Sequence, residues 1–334
     1  MRVGILGTDD DLQVQAVARE VRALGADGVV IDSDALEEGV AFSELDGRTF
    51  YRGTDVEDLE GLWVRTVPSA FAPYLHQDEQ LVLYPDWFER YMQARERSAF
   101  FMGWLLKLHD RGARLVNPPQ AASVLQFKPF QLHALRLAGA RVPRTLISND
   151  PKAVRAFHAE VKDVIYKPIT GGAMTRALDA ETLFSLDSVK GAPVIFQERI
   201  EGDDLRVMLA GEEIVSSVAI RTPEQHLDFR ADPVYSGGGA TYEEVRLPDD
   251  VVAMCREAAR KCGLLFAGID IKRTASGEWV FLELNSSPVY LDVELKLGHP
   301  ISRAIAELVV GKIRLPSPRP PPPRGEGDSG GEGR

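Results

Sequence analysis

Cysteine is nearly absent from this chain: Cys255 and Cys262 are the only two in 334 residues. So small a supply excludes a disulfide-built secreted scaffold, and with no Cys/His cluster nearby it excludes a multi-cysteine zinc site. The two cysteines, seven apart on an expected helix, read as buried, reduced thiols. Long apolar runs are missing too. Nothing approaches the roughly 20 residues that cross a bilayer, and the N-terminus carries no signal-peptide pattern, so a cytoplasmic protein without membrane contact is expected. Positive charge is also short. With 39 Lys and Arg against 50 Asp and Glu the net charge is −11, which argues against a broad nucleic-acid surface but allows a local basic groove over a polyphosphate. Histidines are scattered (His109, His133, His158, His226) and each reads as structural or exposed.

What is present fits two or three α/β lobes, since the chain is long for one domain. Met1–Gly7 reads as a strand, Val14, Val17, Val21 and Leu24 as one face of a helix, and Gly28–Asp32 as a second strand. This is the βαβ opening of an open α/β sheet. Gly4 and Gly7 miss the dinucleotide fingerprint, and Asp9, Asp10 and Asp11 at the strand's end would repel a pyrophosphate. Trp63-Val64-Arg65 is an apolar strand ending in a cation. A long helix with an aromatic core stripe follows from Pro85 to about His109. The last twenty residues, Leu315–Arg334, hold six prolines and five glycines; with no apolar periodicity they are expected to be disordered.

The chemistry concentrates near the end of the folded part. Gly268-Ile269-Asp270-Ile271 and Trp279–Leu284 read as two strands joined through Ser276-Gly277. Residues two apart on a strand share a face, so Glu283 and Asn285 point together, and Asp270 joins them if its strand pairs alongside. Two carboxylates and an amide oxygen suit a hard divalent ion held with a nucleotide's phosphates. Upstream, Val164–Lys167 is a strand ending in a lysine, just ahead of Gly171 and Gly172, where backbone N–H groups can approach phosphate oxygens. Lys128 lies on an expected helix closed by Gly139. Arg221 ends a hairpin strand and Arg230 follows in Asp228-Phe229-Arg230; both forks are able to stabilise a transferring phosphoryl group.

The order Asn117-Pro118-Pro119, Lys128, Gln131-Leu132, Val142-Pro143, Lys167, the Gln197–Ile200 strand end, Asp204-Leu205-Arg206, Arg221, Arg230, Asp270 and Glu283-Leu284-Asn285 resembles the ATP-grasp superfamily. Within it, the order is similar to the carboxylate–amine ligases of the RimK and glutathione-synthetase kind. The resemblance runs from about 117 to 310. It implies an α/β protein with α+β lobes: an N-terminal pre-ATP-grasp domain (1–116), a central or lid subdomain (117–195), a catalytic subdomain (196–314) and a tail (315–334). It also implies ATP with Mg²⁺, or Mn²⁺ in its place. Lys128, Lys167, Gly171, Gly172, Gln197, Glu198, Arg199, Ile200, Asp204 and Arg206 would hold the nucleotide, with Asp203 and Glu201 competing with Asp204 for the ribose. Asp270, Glu283 and Asn285 would hold metal, and Arg221 and Arg230 would be catalytic.

The implied reaction joins a carboxylate to an amine through an acylphosphate. Its substrate is a peptide, a protein or an amino acid, and a homo-oligomer is compatible with it. Trp63-Val64-Arg65 and Asn149-Asp150-Pro151 look like ligases that cyclise graspetides such as microviridins, which nominates Arg65 and Ser287 as substrate contacts. Ser286-Ser287-Pro288, however, departs from the Gly-Gln-Trp-like segment common after the metal asparagine in those enzymes. Three readings stay open: a peptide or protein ligase, a small-molecule amino-acid ligase, and a non-catalytic nucleotide-binding protein.

Overall fold

The computed structural model describes residues 1–35, 39–66, 87–122, 127–170, 174–222, 227 and 238–313. The tail, Gly171, Gly172 and Arg230 lie outside these described residues.

The first lobe is built from β1 (Arg2–Gly7), α1 (Leu12–Ala23), β2 (Asp27–Asp32), a small antiparallel sheet of β3 (Phe42–Leu45), β4 (Arg48–Tyr51) and β5 (Thr54–Asp55), then β6 (Gly61–Val64), α2 (Trp87–Asp110) and β7 (Arg114–Val116). β2, β1, β6 and β7 form a parallel sheet in that order. Asp11 caps α1 by accepting from Gln13 N at 2.7 Å; a side-chain oxygen there satisfies a donor the helix itself cannot. Val14, Val17 and Val21 are buried as their spacing predicts. So are Phe101, Trp104, Leu105 and Leu108 of the aromatic helix, which pack on Leu6, Ile31 and Leu62. The β3–β5 sheet was not foreseen from sequence. Its turns are Asp46-Gly47 and Arg52-Gly53, all four with positive φ, and Asp-Gly is a strong hairpin signal.

The second lobe comprises α3 (Pro119–Ala122), α4 (Lys128–Leu137), β8 (Thr145–Ser148), α5 (Pro151–Val161), β9 (Val164–Lys167), β10 (Arg176–Ala177), α6 (Ala180–Phe184), a tight helical turn at Leu186–Gly191, and β11 (Val194–Glu198). Its antiparallel sheet runs β10-β9-β11-β8. The expected boundary at 195/196 therefore falls inside β11, because that strand pairs with both β8 and β9. Asp150 and Pro151 start α5 as N-cap and first-turn proline, a helix-start role for the segment that resembled the cyclising ligases.

The third lobe contains β12 (Asp203–Ala210), β13 (Glu213–Arg221), β14 (Thr241–Glu244), α7 (Asp249–Lys261), β15 (Phe266–Arg273), β16 (Trp279–Asn285), α8 (Leu291–Leu297) and α9 (Ile301–Val309). Its sheet order is β14-β13-β12-β15-β16. One face, with Leu205, Val207, Ile269, Ile271, Phe281 and Leu284, packs on α4 and α7. Part of the other face, with Met208, Ala210, Val218 and Phe266, packs with α1 and with Ile301, Ile305 and Leu308 of α9. α9 thus seals the first lobe to the third, and at Gly61 of β6 an added Cβ would lie 2.6 Å from the Val309 carbonyl oxygen.

Two separate helices, α8 and α9, close the described part of the chain. Gly298 takes φ +74° as a left-handed cap, and Pro300 precedes the new helix. A left-handed residue ends an α-helix and proline cannot continue one.

Candidate active site

The sheet face that α1 and α9 leave uncovered opens into a cavity of about 310 Å³ between the second and third lobes. β12 pairs with β15 and β15 with β16, so Arg206 sits opposite Asp270 and Asp270 opposite Glu283; Gly268 sits opposite Asn285. Strand alternation then puts Asp204, Arg206, Asp270, Lys272, Glu283 and Asn285 around one cavity. Lys167 at the end of β9, Lys128 at the start of α4, and the Gln197–Ile200 strand end line the same space.

A bulge makes this possible. Asp270 faces Glu283 but the next residue, Ile271, faces Phe281, so Leu282 is an extra residue on β16. Bulges re-aim side chains locally. Here Phe281 and Leu284, three apart, both enter the core, while Leu282 and Glu283 both line the cavity. Plain alternation would have put Phe281 on the same side as Glu283.

The charged groups are already engaged with one another. Lys128 Nζ donates to Glu283 Oε2 at 2.5 Å, and Lys167 Nζ lies 3.9 Å from the same oxygen. Arg206 clasps Asp270 through Nε and through Nη2, the latter at 3.2 Å. Lys272 Nζ donates to Asp204 at 2.8 Å. Asn285 Oδ1 accepts from Ser287 N at 2.9 Å, and an amide oxygen keeps a second lone pair. Of the three acids competing for a ribose, Asp204 lines the cavity. Asp203 is bound outside it by Arg273 and Arg221, whose hydrogen bonds hold its carboxyl below the usual range.

Arg221 does not reach the cavity. Its guanidinium binds Glu243 and Asp203 on the far edge of the sheet, and those two bonds raise its pKa further. Arg65, the residue after β6, does reach it indirectly. Its Nη1 donates to Ser287 O (2.8 Å) and Oγ (2.7 Å), and its Nε to Asp11 (2.8 Å); Ser287 lines the cavity. Glu198 contributes backbone to the rim, since its carboxylate is held by Arg141 and by Arg144 N. Lys272 and Leu282 line the cavity without having been foreseen; for Leu282, the signal was an apolar residue inside the carboxylate motif.

Beyond Arg206 the same sheet face continues into a second hollow of about 280 Å³, lined by Ile220, Tyr242, Val289, Tyr290 and Asp292. Arg206 and Val289 border both spaces.

The donors suit Mg²⁺ or Mn²⁺: Asp270, Glu283 and Asn285 offer hard oxygens only. No group of three or more His, Cys, Asp or Glu able to hold a metal occurs among the described residues. A site with two carboxylates needs phosphate and water oxygens to complete it, as Mg²⁺ sites that also bind nucleotides do. No helix among the described residues is long and apolar enough to cross a membrane.

Comparison with known proteins adds an independent view. The model of the RimK-like ATP-grasp domain family matches residues 126–309. A protein of Klebsiella pneumoniae named "Probable alpha-L-glutamate ligase" is 30% identical over 58% of this chain and 67% of its own length. Its namesake in Chromohalobacter salexigens is 27% identical over 58% of this chain and 66% of its own, just under two thirds of that relative. Among solved structures, ATP-grasp ligase PsnB complexed with a phosphomimetic variant of minimal precursor, Mg and ADP is 34% identical. It covers 93% of this chain and 98% of its own, with a TM-score of 0.79. Macrocyclase MdnC of Microcystis aeruginosa, bound with precursor peptide MdnA, shares the fold at 22% identity and TM-score 0.76, over 93% of this chain and all of its own.

Proposed function

The chain belongs to the RimK-like ATP-grasp family, and from that premise we propose that it is an ATP- and Mg²⁺-dependent carboxylate–amine ligase acting on a peptide or protein. The observation that carries this reading is the convergence of Lys128 and Lys167 on Glu283, beside Asp270 and Asn285, in one cavity. Two cations meet a carboxylate of the third lobe, with a second carboxylate and an amide oxygen lining the same cavity. That set of side chains argues against a non-catalytic nucleotide-binding protein.

In the proposed arrangement the Gln197–Ile200 strand end takes the adenine, Asp204 the ribose, and Lys128, Lys167 and Arg206 the phosphates. Gly171 and Gly172 belong to the same proposed phosphate cradle, and Arg230 to the catalytic cations, from positions outside the described residues. Asp270, Glu283 and Asn285 would hold the metal, which would supply neutralising charge at the phosphate oxygens. A substrate carboxylate oxygen attacks the γ-phosphorus, the bond to ADP breaks, and an acylphosphate results. An amine nitrogen then attacks the acyl carbon, phosphate leaves and the nitrogen sheds a proton, completing the amide. No protein nucleophile is needed. The work is positioning and electrostatic stabilisation.

We place the substrate side chain in the second hollow, because it opens beside Arg206 at the phosphate end and has apolar walls for a methylene stem. A peptide substrate is favoured over a free amino acid by extent of likeness. The precursor-bound PsnB structure matches 93% of the chain, the glutamate ligases 58 to 65%. Incubation with Mg-ATP and a short synthetic peptide carrying acidic and lysine side chains, with free glutamate in parallel, tests the choice by mass spectrometry. Loss of one water from the peptide, stable to mild base, is expected. A gained glutamate residue would support the amino-acid ligase instead, a base-labile link would overturn the amide, and absence of ADP formation in every mixture would overturn the reading altogether.

A further inference from the structure

The segment that follows β16 is pinned along its length. Asn117 Nδ2 donates to Ser286 O at 2.9 Å, and Arg65 Nη1 to Ser287 O at 2.8 Å. Gln13 Oε1 accepts from Tyr290 N at 2.7 Å and from Leu291 N at 3.3 Å. These anchors come from the residue after β7, the residue after β6, and α1. Between them Pro288 is buried. It lies so close to β15 that a Cβ added at Gly268 would stand 2.6 Å from the proline's own Cβ. The Tyr290 ring, 1% exposed, meets Phe266 edge-on with centroids 6.1 Å apart.

Val289 is the exception, 61% exposed between two buried neighbours. A lone exposed valine ordinarily needs no explanation, but this one stands at a junction. Among the described residues, only Arg206 and Val289 border both the first cavity and the second hollow. A side chain passing from the hollow to the phosphate end therefore runs between a guanidinium and an isopropyl group. The guanidinium suits a carboxylate, and the isopropyl group gives a wall to the methylenes behind it. With the flanking backbone pinned and a β-branched side chain stiff about its first bond, this wall does not swing aside to admit a peptide backbone.

Resting on the reading of these spaces as nucleotide site and substrate site, we propose that Val289 sets the length of the acidic side chain that is activated. A glutamyl carboxylate, with two methylenes behind it, reaches past the wall; an aspartyl carboxylate, with one, does not. Apolar contacts discriminate a single methylene by about 10- to 200-fold.

Two synthetic peptides test this, each with a lysine and one acidic residue, differing only in whether that residue is glutamate or aspartate. The full chain receives each with Mg-ATP, and kcat/KM is read from ADP release and from water loss by mass spectrometry. The parent should favour the glutamyl peptide at least about tenfold. Val289→Ala should cut that ratio to about threefold or less by gain on the aspartyl peptide. Its melting temperature and KM for ATP should match the parent's, since the truncated side chain is exposed. Val289→Thr keeps the branching and should keep the parent ratio. Equal use of both peptides by the parent, an unchanged ratio in Val289→Ala, or a threonine variant that behaves like the alanine one would each overturn length selection. A ratio lost together with a raised KM for ATP would place Val289 in the nucleotide pocket and overturn it too. Absence of ADP formation with either peptide overturns the underlying ligase reading instead.

Discussion

Asn117 shows how a single side chain positions a site it does not touch. It is 2% exposed. Its Nδ2 donates to Phe266 O (2.8 Å) and Ser286 O (2.9 Å), and its Oδ1 accepts from Leu265 N (2.7 Å) and Phe266 N (2.9 Å). One amide thus ties the start of β15 to the segment just after β16, on either side of the Asp270–Glu283 pair. The sequence drew attention to Asn117 for its prolines; its role comes from residues about 150 and 169 positions away, which no local pattern reveals. Asn117→Ala should cost about 3 kcal/mol, because each buried partner it leaves unsatisfied carries its own desolvation penalty. Urea denaturation of the variant checks this. A change below about 0.5 kcal/mol, the level of ordinary surface substitutions, would show that the network is dispensable.

Elements, more than residues, separate what the sequence made legible from what it hid. The carboxylate strands were readable because alternation is local: Asp270, Glu283 and Asn285 do share a cavity. The bulge at Leu282 was not readable, because Phe281 is claimed by a core assembled from α4 and α7, far away in the chain. The direction Arg221 takes was hidden for a related reason. Its partners, Asp203 and Glu243, come from β12 and β14, and their pairing fixes which way the arginine turns. The α8–α9 break is written locally, in the left-handed Gly298 and in Pro300. Gly298→Ala should cost about 1 kcal/mol through backbone strain alone, since an added Cβ there meets nothing within 4 Å. A thermal melt unchanged from the parent would refute that account. α7 carries a pH signature as well. Burial pushes the Cys255 thiol up to about 12 and that of Cys262, at the helix end, to about 11. Below the ordinary thiol value of 9.0 both are neutral whether folded or unfolded. Above it the unfolded chain ionises first, so their contribution to stability is lost as pH climbs from there towards 12. Denaturation midpoints of a Cys255→Ala, Cys262→Ala variant should therefore decline less steeply over this window than those of the parent. Parallel declines would mean the thiols do not contribute.

At the scale of the whole molecule, the cavity belongs to three lobes that must hold register. The second lobe contributes Lys167 and the Gln197–Ile200 rim; the third contributes the carboxylates. The first lobe supplies no lining residue among those described, yet it reaches the site through one arginine. Arg65 leaves the end of β6, binds Asp11 at the start of α1, and closes on both the carbonyl and the hydroxyl of Ser287, whose hydroxyl donates back to Arg65 O at 2.7 Å. Ser287 N in turn bonds Asn285 Oδ1, so a continuous chain of polar contacts runs from the first sheet to a proposed metal ligand. Three acceptors in different directions need a planar fork with several donors; an ammonium on a flexible stem does not reproduce it. Arg65→Ala should lower the melting temperature by only a few degrees, because Asp11 and Ser287 lose a part-buried donor while α9 and its apolar contacts still join the lobes. Turnover should nevertheless fall about 100-fold, the scale expected when reacting groups shift by about an ångström. Arg65→Lys should resemble Arg65→Ala more closely than the parent, with kcat reduced and the KM for ATP little affected. If lysine restores turnover, charge alone suffices and the fork geometry is not what links the first lobe to the site. If instead the KM for the peptide rises while kcat holds, Arg65 binds substrate directly rather than positioning Asn285 through Ser287.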